Sequence, residues 1–346
     1  MIDWTLAASL AGVVAGDPPH RERPTLSGVA AESERLVSAY TGLAPAAPLP
    51  APELVDRPAW VRANLDSTRP LLDPVVGRLG ENLGPAAPAL RAATGLLVAA
   101  ELGAVMGYVS RRVLGQYELV LLDAEAPARL LFVGPNLDEA ARAMNADEDE
   151  LLSWVALHEV THALQFSGVP WLRAHMGGLL RTLLGSLEVN VDPARLLRLP
   201  GREDLRALAE AVRGGDLFSL MMGPEQRAAL DRLQAVMSVL EGHAEHVMDA
   251  VGTDLLPSLP RLRAAMEHRR ASQSGPARLI ARLLGLELKM RQYAQGKRFC
   301  DAVVDQGGIV ALNRVWTEPA ALPSLAEIER PLDWLARTEP PGAVAL

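Results

Sequence analysis

Apolar positions recur at helical spacing along most of the chain. The opening MIDWTLAASLAGVVAGD places Ala and Val along one side of a short run and predicts a first helix. Thr41 to Pro52, TGLAPAAPLPAP, is too rich in proline for regular structure and reads as a linker. A helix is expected to start at Asp56, with Pro58 in its first turn and Trp60 available for the core. Ala92 to Val109, AATGLLVAAELGAVMGYV, approaches membrane-spanning length, but Glu101 in its middle would be costly in lipid. It predicts a buried helix on which Gly103 and Gly107 let a second helix come close. Two short runs break the helical period: Glu118 to Asp123, ELVLLD, and Leu130 to Val133, LLFV, read as strands, the second ended by Pro135-Asn136. Helical spacing returns from Leu137. Val191 to Gly223, dense in Arg, Gly and Asp, reads as connections, and the prolines from Pro319 onward predict an extended surface path. The fold class is α+β, predominantly helical with one small sheet. An N-terminal helical segment over residues 1–110 leads into an integrated region over residues 111–346.

Composition narrows the function classes. With 49% hydrophobic residues among 346, the chain buries a sizeable core, which excludes native disorder. A net charge of -8 argues against nucleic acid as a partner, because phosphates need a basic footprint. Cys300 is the single cysteine and closes no bridge within the chain. Asp3 stands where a signal peptide needs basic residues, and the first Lys or Arg is Arg21. The expectation is a cytoplasmic protein with no membrane segment.

The chemistry gathers around the histidines. His158-Glu159-Val160-Thr161-His162 is an H-E-x-x-H motif, in which helical periodicity puts both imidazoles on one face, one turn apart. The surrounding sequence supplies that helix. Asn145 is a candidate cap, Asp147 to Glu150 bring negative charge to the first turn, and Leu151, Leu152, Val155 and Leu164 make an apolar stripe. Gly168 and Pro170 stop it. A catalytic zinc site needs a third protein ligand and leaves the fourth position to water. The source is Leu240-Glu241-Gly242-His243-Ala244-Glu245-His246, late in a helix opened by Gly223-Pro224 and closed by Gly252. Glu241 falls on the side of Met237, Ala244 and Met248, so its carboxylate is aimed inward, where a cation is the natural partner. His243 and His246 are the competing third ligands. Glu245, one turn after Glu241, is placed to orient a ligating imidazole from outside, with Asp249 behind it. Glu159 suits the general base, and Tyr293 is the candidate donor to a developing oxyanion, followed by His175 and His246. Zinc is the expected ion, although iron and cobalt accept the same ligands.

His158-Glu159-x-x-His162 followed by Glu241-Gly242-x-Ala244 resembles the gluzincin arrangement of zinc metallopeptidases, with His243 where many gluzincins carry an aromatic residue. DRPAWVRAN at Asp56, GYVSRRVLGQYELVLLD at Gly107, FVGPN at Phe132, HEVTHALQF at His158 and EGHAEHVMD at Glu241 extend the likeness. So do WLRAH at Trp171, KMRQYAQGKRFCDAVV at Lys289 and PLDWLAR at Pro331. Together they are similar to a bacterial family of zincin-like metallopeptidases, whose members are often labelled hydrolases or associated with deazaflavin-cofactor biosynthesis. The resemblance implies a zincin-like core and a zinc-dependent metallopeptidase or amide hydrolase acting through metal-activated water on a peptide or small amide. By analogy with zincins, Leu130 to Val133 is expected to be the edge strand along which an extended peptide aligns. Two other readings stay open: a non-proteolytic, metal-containing binding or assembly factor, and a metal-dependent hydrolase of a small metabolite. Arg111-Arg112, Arg269-Arg270, Lys297-Arg298 and Gly307-Gly308 add no chemistry of their own.

Overall fold

A three-stranded sheet lies at the centre of the first part of the chain. The computed structural model describes residues 2–81, 88–123, 126–185, 223–271 and 286–339, which divide into two units. Unit one comprises Met1–Ala174 with Ala244–His268, and unit two His175–His243 with Arg269–Leu346. Unit one holds α1 (Trp4–Ala15), α2 (Leu26–Thr41), β1 (Pro52–Val55), α3 (Arg57–Glu81), α4 (Pro88–Ser110), β2 (Gly115–Glu118), β3 (Arg129–Val133), α5 (Gly134–Met144) and α6 (Glu148–Gly168). Helix α7 (Leu172–Gly185) follows, and α8 (Pro224–Leu255) gives its first half to unit two and its second to unit one. After α9 (Leu259–Ala271), unit two continues with α10 (Leu286–Leu312), two 3-10 turns, α11 (Leu325–Glu329) and α12 (Pro331–Thr338).

Strand order is β1-β3-β2, with β1 parallel to β3 and β2 antiparallel to it. Leu130 to Val133 are fully buried, as an uninterrupted apolar run in a central strand should be. Leu131 and Val133 join a core with Ala7, Ala11 and Ala15 of α1 and Trp60 of α3. Leu130 and Phe132 point to the opposite face by the two-residue alternation of a strand. Helices α1 and α4 approach closely because α4 presents glycine: a methyl on Gly103 would lie 2.6 Å from the Ala7 carbonyl oxygen, and one on Gly107 2.7 Å from that of Ala11. No described helix is long and apolar enough to cross a membrane.

Several local expectations are corrected. Pro52 to Val55, at the end of the proline-rich stretch, forms β1; Pro52 is tolerated as the first residue of an edge strand. The second strand ends at Glu118, and Arg173 Nη2 instead ties down the carbonyls of Val120, Asp123 and Ala126 beyond it. Asn145 ends α5 in the left-handed region (φ 47°), and Asp147 caps α6. Helix α8 runs past Gly252 to Leu255. The segment from Pro319 is not extended: Ser324 and Glu327 form a capping box for α11, and the buried Trp334 of α12 donates to the Ala321 carbonyl. Residues 191–222 of the expected connecting segment lie outside the described residues.

Within unit two, α8 and α10 meet backbone to backbone. A methyl on Gly242 would collide with the Gly296 backbone, and one on Gly296 with the Ser238 carbonyl. The buried His243 ring meets Trp316 edge-on, with centroids 5.3 Å apart. Gly308 bends α10 at φ 69°, a conformation that favours glycine.

Candidate metal centre

Helix α6 starts sharply. Asp147 Oδ1 accepts from the backbone amides of Asp149 and Glu150, each at 3.0 Å, and Glu148, Asp149 and Glu150 follow in the positive first turn. Leu151, Leu152, Val155, Leu157, Val160 and Leu164 are buried, holding the helix in place from its cap to the motif. His158 and His162 are half-buried, with their Nε2 atoms 3.2 Å apart. Two imidazoles at about 2.0–2.1 Å from a tetrahedral zinc stand roughly 3.3 Å apart, so this spacing fits a shared ion. His162 Nδ1 lies 2.9 Å from the amide oxygen of the fully buried Gln165. An acceptor there fixes the proton on Nδ1 and turns the Nε2 lone pair toward His158. His158 Nδ1 lies 3.2 Å from Met248 Sδ of α8, a much weaker acceptor.

Met248 leads to the third donor. Glu241 stands seven residues earlier on the same helix, two turns along one face. One ligand atom from each of His158, His162 and Glu241 lies within 4.8 Å of the others. Two imidazole nitrogens and a carboxylate oxygen form the donor set of a catalytic zinc site, and convergence of the two Nε2 atoms fits an ion on independent grounds. The competing histidines are engaged elsewhere: His243 against Trp316, and His246 with Nε2 2.7 Å from the Tyr40 hydroxyl. Glu245 is half-buried, and its backbone carbonyl accepts from Arg263, which also pairs with Asp249. Tyr293 lies on α10, but its side chain is outside the described residues. Burial lowers the His175 pKa from its ordinary value, and nearby Arg232 pushes the same way.

Glu159 is buried beside the pair, at 8% exposure, and its Oε2 accepts from the Tyr117 backbone amide of β2 at 2.9 Å. Gly115 makes room for it: a methyl there would lie 2.7 Å from Glu159 Cγ and 2.8 Å from Val155 Cγ1. The Tyr117 ring stacks on Phe166 of α6, with centroids 6.1 Å apart. Burial raises the Tyr117 phenol above its ordinary pKa, against a smaller opposite pull from Arg173. Lys297 pairs with Asp301. Cys300 is fully buried, and burial pushes its thiol far above the ordinary range, which removes it as a nucleophile. Sequence reasoning missed Gln165, Met248, Gly115 and the Tyr117 amide. Gln165 was visible in principle, three residues after His162 and so on its face; the others depend on tertiary packing.

No curated protein matches the chain. A crystal structure from Chloroflexus aurantiacus, described as a hydrolase with a novel fold and assigned only provisionally, is similar at 31% identity and a TM-score of 0.74. The likeness covers 99% of this chain and all of that one. A profile for zincin-like metallopeptidases matches residues 2–335, and the chain belongs to that family.

Proposed function

We propose that the protein is a zinc-dependent amide hydrolase of the metallopeptidase type, with His158, His162 and Glu241 as metal ligands and Glu159 as general base. The observation that carries this reading is the convergence of the three ligand side chains beside a buried carboxylate that is not among them. A zinc ion so held supplies Lewis acidity, lowering the pKa of a water molecule and polarising an amide carbonyl. Gln165 holds His162 in the tautomer that presents Nε2. Glu159 is steadied through Oε2 by the Tyr117 amide and is the group that takes the proton of the attacking water. The same carboxyl group then returns that proton to the leaving amine, so the base is regenerated in each cycle. Tyr293 remains the proposed donor to the oxyanion, and Glu245 the proposed outer carboxylate.

The test compares zinc content and hydrolysis of a panel of peptides and N-acyl amino-acid amides for wild type, Glu241→Ala and Glu159→Gln. Near-stoichiometric zinc in wild type, little in Glu241→Ala, and full zinc without turnover in Glu159→Gln is the expected pattern. Undiminished turnover in Glu159→Gln would sink the general-base assignment, and undiminished zinc in Glu241→Ala would remove that ligand.

A further inference from the structure

We infer that the site takes a compact amide carrying an apolar group, and does not align an extended peptide on the sheet edge beside Glu159. The inference rests on the hydrolase reading above and concerns the substrate class of the same site. Strand β3, which leads toward the motif helix, is flanked on both sides by β1 and β2 and has no edge to offer. The strand on the α6 side is β2. Leu131, Leu130 and Arg129 of β3 lie opposite Gln116, Tyr117 and Glu118, and the Val133 amide donates to the Leu114 carbonyl. In an antiparallel pair, hydrogen-bonded and non-bonded positions alternate. Leu114, Gln116 and Glu118 therefore turn their backbone groups toward β3, and Gly115 and Tyr117 turn theirs outward. A peptide adding to the sheet beside Glu159 would have to pair with those two residues.

Helix α6 engages this edge. The outward Tyr117 amide is taken by Glu159, and α6 packs against the face of β2 at Gly115, where an added methyl would meet Glu159 and Val155. With that amide engaged, a further strand at this edge would first have to displace Glu159 from Tyr117. Beyond Glu118 the strand ends, and Arg173 gathers the carbonyls of Val120, Asp123 and Ala126. What this face does offer is aromatic. Glu159, His162 and Phe166 follow one another at three- and four-residue spacing on one side of α6, and Tyr117 stacks on Phe166, both half-buried. An apolar group of a small amide packs on that pair while its carbonyl meets the metal ligands.

The probe is a pair of hydroxamates, binding the zinc-loaded full chain: N-acetyl-phenylalanine hydroxamate, and the same group carrying four further residues at its N-terminus. Hydrogen exchange of the Tyr117 amide is followed in parallel. The expected result is affinities within about threefold of each other, and a Tyr117 amide protected in the free and bound protein but exposed in Glu159→Ala. Phe166→Ala should weaken both ligands about tenfold, with zinc content unchanged. A gain of tenfold or more on extension, or a Tyr117 amide that exchanges freely in wild type, would overturn the inference. So would failure of the compact hydroxamate to bind. Tight binding of the compact hydroxamate without hydrolysis of any amide in the panel would instead sink the hydrolase reading and support the engaged edge.

Discussion

Helices α6 and α8 both carry proposed metal ligands, yet the positions of these residues are set in different ways. On α6 the two histidines are placed relative to each other by the helix itself, since a four-residue spacing needs only one regular turn. That turn lies between a strong cap at Asp147 and a run of buried aliphatic residues. On α8 the single ligand Glu241 depends on where the whole helix lies. In this stretch the helix is fixed against α10 by the Gly242–Gly296 contact, with no side chain between the backbones. One ligand pair is a local property of its sequence; the third ligand is a property of packing.

The largest expected effect separates the ligands from everything else. His162→Ala and Glu241→Ala should each reduce bound zinc from about one equivalent to a small fraction, because two remaining donors do not make a catalytic site. Zinc analysis after gel filtration checks it, and a full equivalent of zinc kept by either variant would remove that residue from the ligands. Next comes packing. Gly296→Ala puts a methyl into the Ser238 carbonyl, where only backbone can yield. Overpacking of this kind costs about 1–3 kcal/mol or more, and should lower both thermal stability and zinc affinity. The matching change on α6, Gly168→Ala, meets the Ala44 carbonyl oxygen at 3.0 Å and should cost less than half as much while leaving zinc binding intact. Thermal melts and zinc titrations on both variants decide it.

That asymmetry also describes what could be read from the sequence. The α6 site was legible because its information is contained in consecutive residues: acidic first turn, apolar period, H-E-x-x-H, glycine stop. Glu241 was legible through a second short pattern and the side of the helix on which it falls. The cap was misplaced by two residues, since Asn145 and Asp147 are both good capping types, and only the left-handed φ of Asn145 assigns it to the end of α5. Strand β1 was hidden in a proline-rich stretch because its pairing partner lies almost eighty residues away, at Leu130 to Val133. The place of β3 between two neighbours could not be read either. Its apolar run announced burial, but strand order is a long-range property that no local pattern encodes.

Smaller effects probe the two histidines against each other. Gln165→Leu keeps the volume near His162 but removes the acceptor for Nδ1, leaving the imidazole free to take the other tautomer. Loss of such an outer partner typically costs about 10–100-fold in metal affinity, so zinc titration against a competing chelator should show a drop in that range. A change below threefold would mean that Gln165 does not set the tautomer.

The same experiment on His158 should give the smallest effect. Its Nδ1 faces a thioether, and sulfur accepts a hydrogen bond only weakly. Met248→Leu preserves most of the buried volume, and such swaps usually cost less than about 1.5 kcal/mol. With so little hydrogen-bond energy to lose, zinc affinity should fall by no more than about threefold, well short of the Gln165→Leu change. A fall as large as that of Gln165→Leu would show that the Met248 contact orients His158 as firmly as an amide oxygen does. The two histidines would then be held alike, and the contrast between local and packed ligands would rest on Glu241 alone.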